Sequence, residues 1–138
     1  IHLQAQCKQL GLDEQVEFIG WIPASGKAEF YNSVDIMCFT SEWDIQPLVI
    51  LESFAYAKPL IGTDIDGPSS MYSHRETAYV VPPQDAKALA RAIVTLRDDA
   101  SLRQSLAVTG RAKALREHSD SSISQQLESF CASLIAEE

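Results

Sequence analysis

Three carboxylates stand close together in SEWDIQPLVILESFA, residues 41–55: Glu42, Asp44 and, inside an otherwise apolar run, Glu52. Pro47 suits the first position of a helix, where its missing N–H is no loss, with Gln46 ahead of it as the cap. Leu48, Val49, Ile50 and Leu51 then point in every direction around the axis, which predicts a helix buried between a sheet and its neighbours. A carboxylate on such a helix needs hydrogen-bond donors, from the protein or from a ligand. Asp44 precedes Glu52 by eight residues and falls in the loop before the helix, near N–H groups that favour anions. Two readings stay open on residues alone. Either the acids bind a ligand, or Glu52 faces a solvated edge while Asp44 assists the cap.

Other groups able to do chemistry are sparse. His2, His74 and His118 are scattered without ligand spacing, which argues against zinc. Cys7, Cys38 and Cys131 are odd in number and far apart, and read as reduced thiols of a cytosolic protein. The 11 basic against 19 acidic residues give a net charge of -8, which disfavours nucleic acid or an anionic membrane as the main partner. No apolar run approaches the ~20 residues of a membrane span, and the first residues have no signal-peptide layout.

The elements that must position the acids follow from the pattern of apolar runs. A helix is expected over residues 2–10, ended by Gly11, then a short strand VEFIG (16–20) and a brief helix over 25–33. VDIMCFT (34–40), KPLIGT (58–63) and AYVV (78–81) read as strands, the first too apolar to face water. Asp85 caps an Ala-rich helix to about residue 96, and two more helices follow over 102–116 and 123–136, with SDSSIS as a joint. Short apolar strands alternating with helices predict an α/β domain around a mostly parallel sheet, in a chain of 138 residues that suits a single core. Ligands of such sheets bind at the carboxyl ends of the strands, where the Asp44 loop belongs. The division expected is a domain over 1–117 with residues 118–138 as its C-terminal helix.

DIQPLVILESFAYAKPLIGTDIDG resembles the donor-site signature of retaining glycosyltransferases of the GT-B architecture, the group 1 family. That pattern runs acid, seven residues, Glu, then Ala-x-Ala-x-Gly-x-Pro, a strand, and Thr-Asp-x-Gly-Gly. LGLDEQVEFIGWIP, VDIMCFTSEWD and YVVPPQDAKALARAI resemble further blocks of the family, in the same order. The resemblance implies the Rossmann-like C-terminal domain of the GT-B fold and a nucleotide-diphospho-sugar donor, with no metal or other cofactor. It makes Asp44 the acid at the donor sugar's hydroxyls and Glu52 the acid on the ribose diol, whose two hydroxyls match a carboxylate's two acceptors. It places Gln46, Leu48 and Val49 at the diphosphate or sugar, Leu48 and Val49 as backbone donors, and Trp21 and Ile22 at the base.

By the same resemblance, Asp64-Ile65-Asp66 falls on the post-strand turn, which sets aside an Asp-x-Asp metal site. Departures from the pattern are Asp44 for the more usual Glu, Ile45 for a small residue, Asp66 for the first Gly of Gly-Gly, and Ser70 for an acid. Ala57 and Ala78 stand where Gly is frequent, a mild change. The family's opening strands, with the Arg and Lys for the phosphates, and its acceptor domain have no counterpart in these residues. The chain alone is therefore expected to lack transferase activity, its glycan or lipid-linked acceptor being held by a missing N-terminal domain. Exposed strand edges favour self-association. The expected location is the cytoplasm, with the inner face of the membrane as an alternative for the complete protein. Alternatives are a silent nucleotide-sugar-binding or interaction module, and a sugar-nucleotide epimerase.

Overall fold

Three apolar runs become parallel strands in the computed structural model, which describes residues 2–136. They are β1 (Met37–Phe39), β2 (Leu60–Thr63) and β3 (Tyr79–Val81), in the order β1-β2-β3. Met37 pairs with Leu60 and Cys38 with Ile61, while Ile61 pairs with Tyr79 and Thr63 with Val81. The helices are α1 (His2–Gln9), α2 (Lys27–Ser33), α3 (Leu48–Ala55), α4 (Ala86–Asp98), α5 (Ala100–His118) and α6 (Asp120–Ala136). None of them is long and apolar enough to cross a membrane. The described residues form two compact units divided between Phe30 and Tyr31.

In the first unit, α1 and a 3-10 turn (Ala24–Gly26) are joined by an irregular stretch. VEFIG forms no strand, contrary to expectation. A strand needs a neighbour for its N–H and C=O groups, and β1 pairs with β2 alone among the described residues. Val16, Phe18 and Ile19 are accordingly exposed.

The second unit carries the core. Side chains alternate across β2, so Leu60 joins a cluster with Phe39, Ile50, Phe54, Met71 and Tyr72. Its neighbour Ile61 joins one with Val81, Ala92, Leu96 and Leu106 on the other face. Both faces of β2 are therefore covered, as a parallel sheet requires, and all four residues of β2 are buried. β1 is less covered than its composition suggests: Cys38 is exposed, because β1 forms an edge of the three-stranded sheet. Gly110 lets α5 approach α3, since a Cβ there would lie 2.7 Å from Cδ1 of Phe54.

Helix boundaries follow local chemistry. Asp85 caps α4 by accepting from the Ala88 N–H at 2.8 Å. The link between α4 and α5 is the single residue Asp99. Its N–H bonds the Thr95 carbonyl while its side chain accepts from the Leu102 N–H at 2.8 Å. α3 begins one residue later than expected. Pro47, at ψ 116, occupies the capping position, and no side chain caps the helix, so the role given to Gln46 is not realised. A proline suits either the capping position or the first helical one, and the extended ψ of Pro47 makes it the cap, so the helix starts one residue downstream. α3 is also covered on one side only: Ile50, Ser53 and Phe54 are buried, whereas Leu48 is 67% exposed.

α3 ends in a Schellman arrangement, with Ala57 N–H bonded to the Phe54 carbonyl and Lys58 N–H to that of Ser53. Ala57 sits at φ 52, the left-handed region. Alanine in place of glycine is thus not a mild change at this position, because its Cβ crowds the backbone there.

Candidate functional site

The carboxyl ends of the strands open into two clefts. The larger, of about 570 Å³, lies between the loops after β1 and β2 and is lined by Glu42, Trp43, Asp44, Ile45 and residues 64–67. The smaller, of about 230 Å³, spans the ends of all three strands, from Thr40 and Thr63 to Val81 and Asp85. Glu42 lines both and is exposed.

Backbone packing fixes the first loop against the second. The Thr63 hydroxyl donates to the Ser41 carbonyl at 2.7 Å, and the buried Tyr72 hydroxyl donates to the Thr63 carbonyl at 2.5 Å. The Tyr72 ring lies over Gly62, where a Cβ would sit 2.7 Å from Cζ. Gly67, at φ 86, closes the same joint by passing against the carbonyls of Asp44 and Ile45. The Asp44 loop is therefore a positioned element.

Asp44 is half-buried and lines the larger cleft, together with Glu42, Asp64 and Asp66. No Lys or Arg lines either cleft among the described residues. Four carboxylates without a cation make the field there strongly negative, so an anionic group entering needs neutralisation from elsewhere. No group of three or more His, Cys, Asp or Glu is arranged to hold a metal ion among the described residues.

Glu52 is not part of that lining. It sits half-buried in the middle of α3, and the Tyr31 hydroxyl donates to its Oε2 at 2.9 Å. The carboxylate has thus found a donor within the protein. Burial first, and then the hydrogen bond to Glu52, push the Tyr31 phenol well above the ordinary tyrosine range, which keeps it protonated as a donor. Tyr31 is in turn stacked on Tyr56, ring centroids 4.8 Å apart and planes within 8°.

The remaining expected residues divide by element. Gln46 is exposed just before α3, and Leu48 and Val49 form its first turn, where N–H groups have no intrahelical acceptor. Trp21 and Ile22 belong to the first unit, and Trp21 is 90% exposed. Sequence reasoning missed Tyr31, Thr63, Gly67 and Tyr72. A signal existed for Gly67, because a glycine closing the TDIDG turn calls for either positive φ or close approach, and it shows both.

A parallel sheet with helices on both faces and clefts at its carboxyl edge defines a Rossmann-like α/β domain. The chain belongs to the glycosyl transferases group 1 family, whose model matches residues 2–113. It is 30% identical over 118 residues to phosphatidyl-myo-inositol mannosyltransferase of Mycobacterium leprae, covering 85% of this chain and 31% of that protein. It is 32% identical over 108 residues to the lipopolysaccharide core biosynthesis glycosyltransferase LpsD of Rhizobium meliloti, covering 78% and 31%. The chain therefore spans about a third of the length of these relatives.

The solved structures agree. Sucrose-phosphate synthase of Thermosynechococcus elongatus superposes with a TM-score of 0.88 at 26% identity, over 99% of this chain and 34% of that one. The C-terminal domain of a group 1 glycosyl transferase, LpcC of Francisella tularensis, gives 0.76 at 28%, over 86% and 62%. Anabaena HepE, solved with UDP, shares the fold with a TM-score of 0.88 at 23% identity, over 96% and 36%. The neighbours are GT-B glycosyltransferases, and the short chain fits their C-terminal domain.

Proposed function

We propose that this chain is the donor-binding part of a retaining glycosyltransferase, which moves a sugar from a nucleotide-diphospho-sugar to a polysaccharide, lipid-linked or other glycan acceptor. The observation that carries the reading is Asp44, held at the carboxyl end of β1 by contacts from β2 and Gly67, in a member of the group 1 family. In this reading Asp44 meets hydroxyls of the donor sugar. Glu52 accepts from the ribose diol, Leu48 and Val49 offer backbone N–H groups to the diphosphate, and Trp21 and Ile22 serve the base. No metal takes part.

The cation-free lining bears on activity. Departure of the diphosphate builds negative charge that must be stabilised, and carboxylates cannot do so. The chain by itself is therefore expected to show negligible transfer, while the complete gene product transfers. Sugar transfer by the purified 138-residue chain would sink that part of the reading. The same lining is the one observation that favours a second reading, a silent nucleotide-sugar-binding module. Calorimetry with a panel of nucleotide sugars, followed by a transfer assay that supplies the preferred donor together with glycan and lipid-linked acceptors, separates them on the complete gene product: transfer supports the first reading, and binding without transfer the second. Glu52→Ala is expected to weaken binding of the preferred donor about tenfold or more, by removal of two charge-assisted hydrogen bonds. Unchanged affinity would remove Glu52 from the ribose.

A further inference from the structure

Glu52 of α3 and Tyr56, the residue that follows the helix as its C-cap, meet the same tyrosine. Glu52 and Tyr56 are separated by one helical turn and lie on one face. The Tyr56 ring stacks on the Tyr31 ring, and the Tyr31 hydroxyl reaches Glu52 Oε2 at 2.9 Å. Tyr31 is 2% exposed, so its ring has one seat, and its hydroxyl is aimed by the stacking and not by chance rotation. A glutamate has three side-chain torsions and loses much rotamer freedom when held. Fixing one of its oxygens before a ligand arrives reduces the ordering that binding must supply.

We propose that Tyr31 is a positioning residue for Glu52: it holds the carboxylate in the orientation that accepts a ribose 2′,3′-diol, and so sets how strongly a ribonucleotide is preferred over its 2′-deoxy counterpart. This inference rests on the assignment of Glu52 to the ribose and adds a residue that does not itself touch the ligand. It also distinguishes two roles for the buried phenol. A purely structural tyrosine would support all ligands equally, whereas a positioning one affects only those that present the diol.

The test is calorimetric binding of UDP, GDP and ADP, each beside its 2′-deoxy form, to the complete gene product and to its Tyr31→Phe, Glu52→Ala and doubly substituted variants. The nucleotide that binds best is followed. Phe keeps the ring and its stacking and removes only the hydroxyl. The expected result is a ribo-to-deoxy preference that falls about fivefold to tenfold in Tyr31→Phe. Affinity for the deoxy form is expected to hold, and adding Tyr31→Phe to Glu52→Ala is expected to change nothing more. A Tyr31→Phe variant that keeps the full preference, or that loses both forms equally, overturns the inference while leaving Glu52 on the ribose. A Phe variant that fails to fold where Glu52→Ala folds overturns it too, because the hydroxyl then serves packing. If Glu52→Ala keeps the preference, or no nucleotide binds, the ribose assignment itself falls and this inference with it.

Discussion

Gly67 passes so close to Asp44 that a Cβ on it would lie 2.7 Å from the Asp44 carbonyl oxygen. One glycine thus sets how near the loop after β2 comes to the loop that holds the candidate sugar-binding acid. At φ 86 it also occupies backbone space that other residues rarely adopt. Gly67→Ala is expected to destabilise the chain by about 1–3 kcal/mol in urea unfolding. It is also expected to shift the amide resonances of Asp44 and Ile45. Unmoved resonances with wild-type stability would show that the two loops are independent.

Ala57→Gly is expected to act in the opposite direction. Relief of the left-handed strain at φ 52 outweighs the added freedom of the unfolded chain, for a gain of about 0.5–1 kcal/mol. Both hydrogen bonds that close α3 are made by backbone groups and survive the change. A loss of stability on this substitution would mean that the Ala57 side chain contributes packing greater than its strain.

Gly110 reverses the usual rule for helices. In an exposed helix interior, Gly→Ala gains about 1 kcal/mol. Here the new methyl would meet Phe54 at 2.7 Å, and Phe54 is fully buried between α3, α5 and the sheet. Gly110→Ala is therefore expected to destabilise by about 1–3 kcal/mol, the range of overpacked cores. Combining it with Phe54→Leu should show strong non-additivity in a double-mutant cycle, and simple additivity would refute the contact.

Tyr72 makes stability depend on alkaline pH. Burial, and then the charge of Asp64, raise its pKa from 10.0 to about 12. The folded state thus holds the proton more tightly than the unfolded one. The stabilisation is complete below pH 10 and is lost as pH rises toward about 12. Denaturant unfolding between these limits is expected to show a steeper decline for the wild type than for Tyr72→Phe. That variant loses the bond to Thr63 but has no phenol to ionise. Parallel declines would assign the effect to other groups.

Much of this was legible in the sequence. The three core strands, the Asp85 cap and the order of helices follow from apolar runs and capping residues, which act locally. VEFIG was misread because its composition suits a strand, while strand formation depends on a partner that lies elsewhere in the chain. The start of α3 shifted because Pro47 permits either of two adjacent positions and its own ψ decides. Glu52 shows the same limit in the site. The sequence reveals that a carboxylate on an apolar helix needs a donor, but Tyr31 lies 21 residues away and only the fold brings it within reach. Ala57 looked harmless by similarity of size, and only its backbone angle exposes the strain.

The single-residue link at Asp99 has a consequence for how the chain can vary in length. Because Asp99 closes α4 with its N–H and starts α5 with its side chain, there is no slack between the two helices. Arg103 tightens the corner by donating to the Leu96 and Arg97 carbonyls, both at 2.5 Å. One inserted residue would rotate α5 by about 100° about its axis, at 3.6 residues per turn. Gly110 would then turn away from Phe54, and the helix would present a different face to α3. Length is thus as strictly encoded at this corner as residue type.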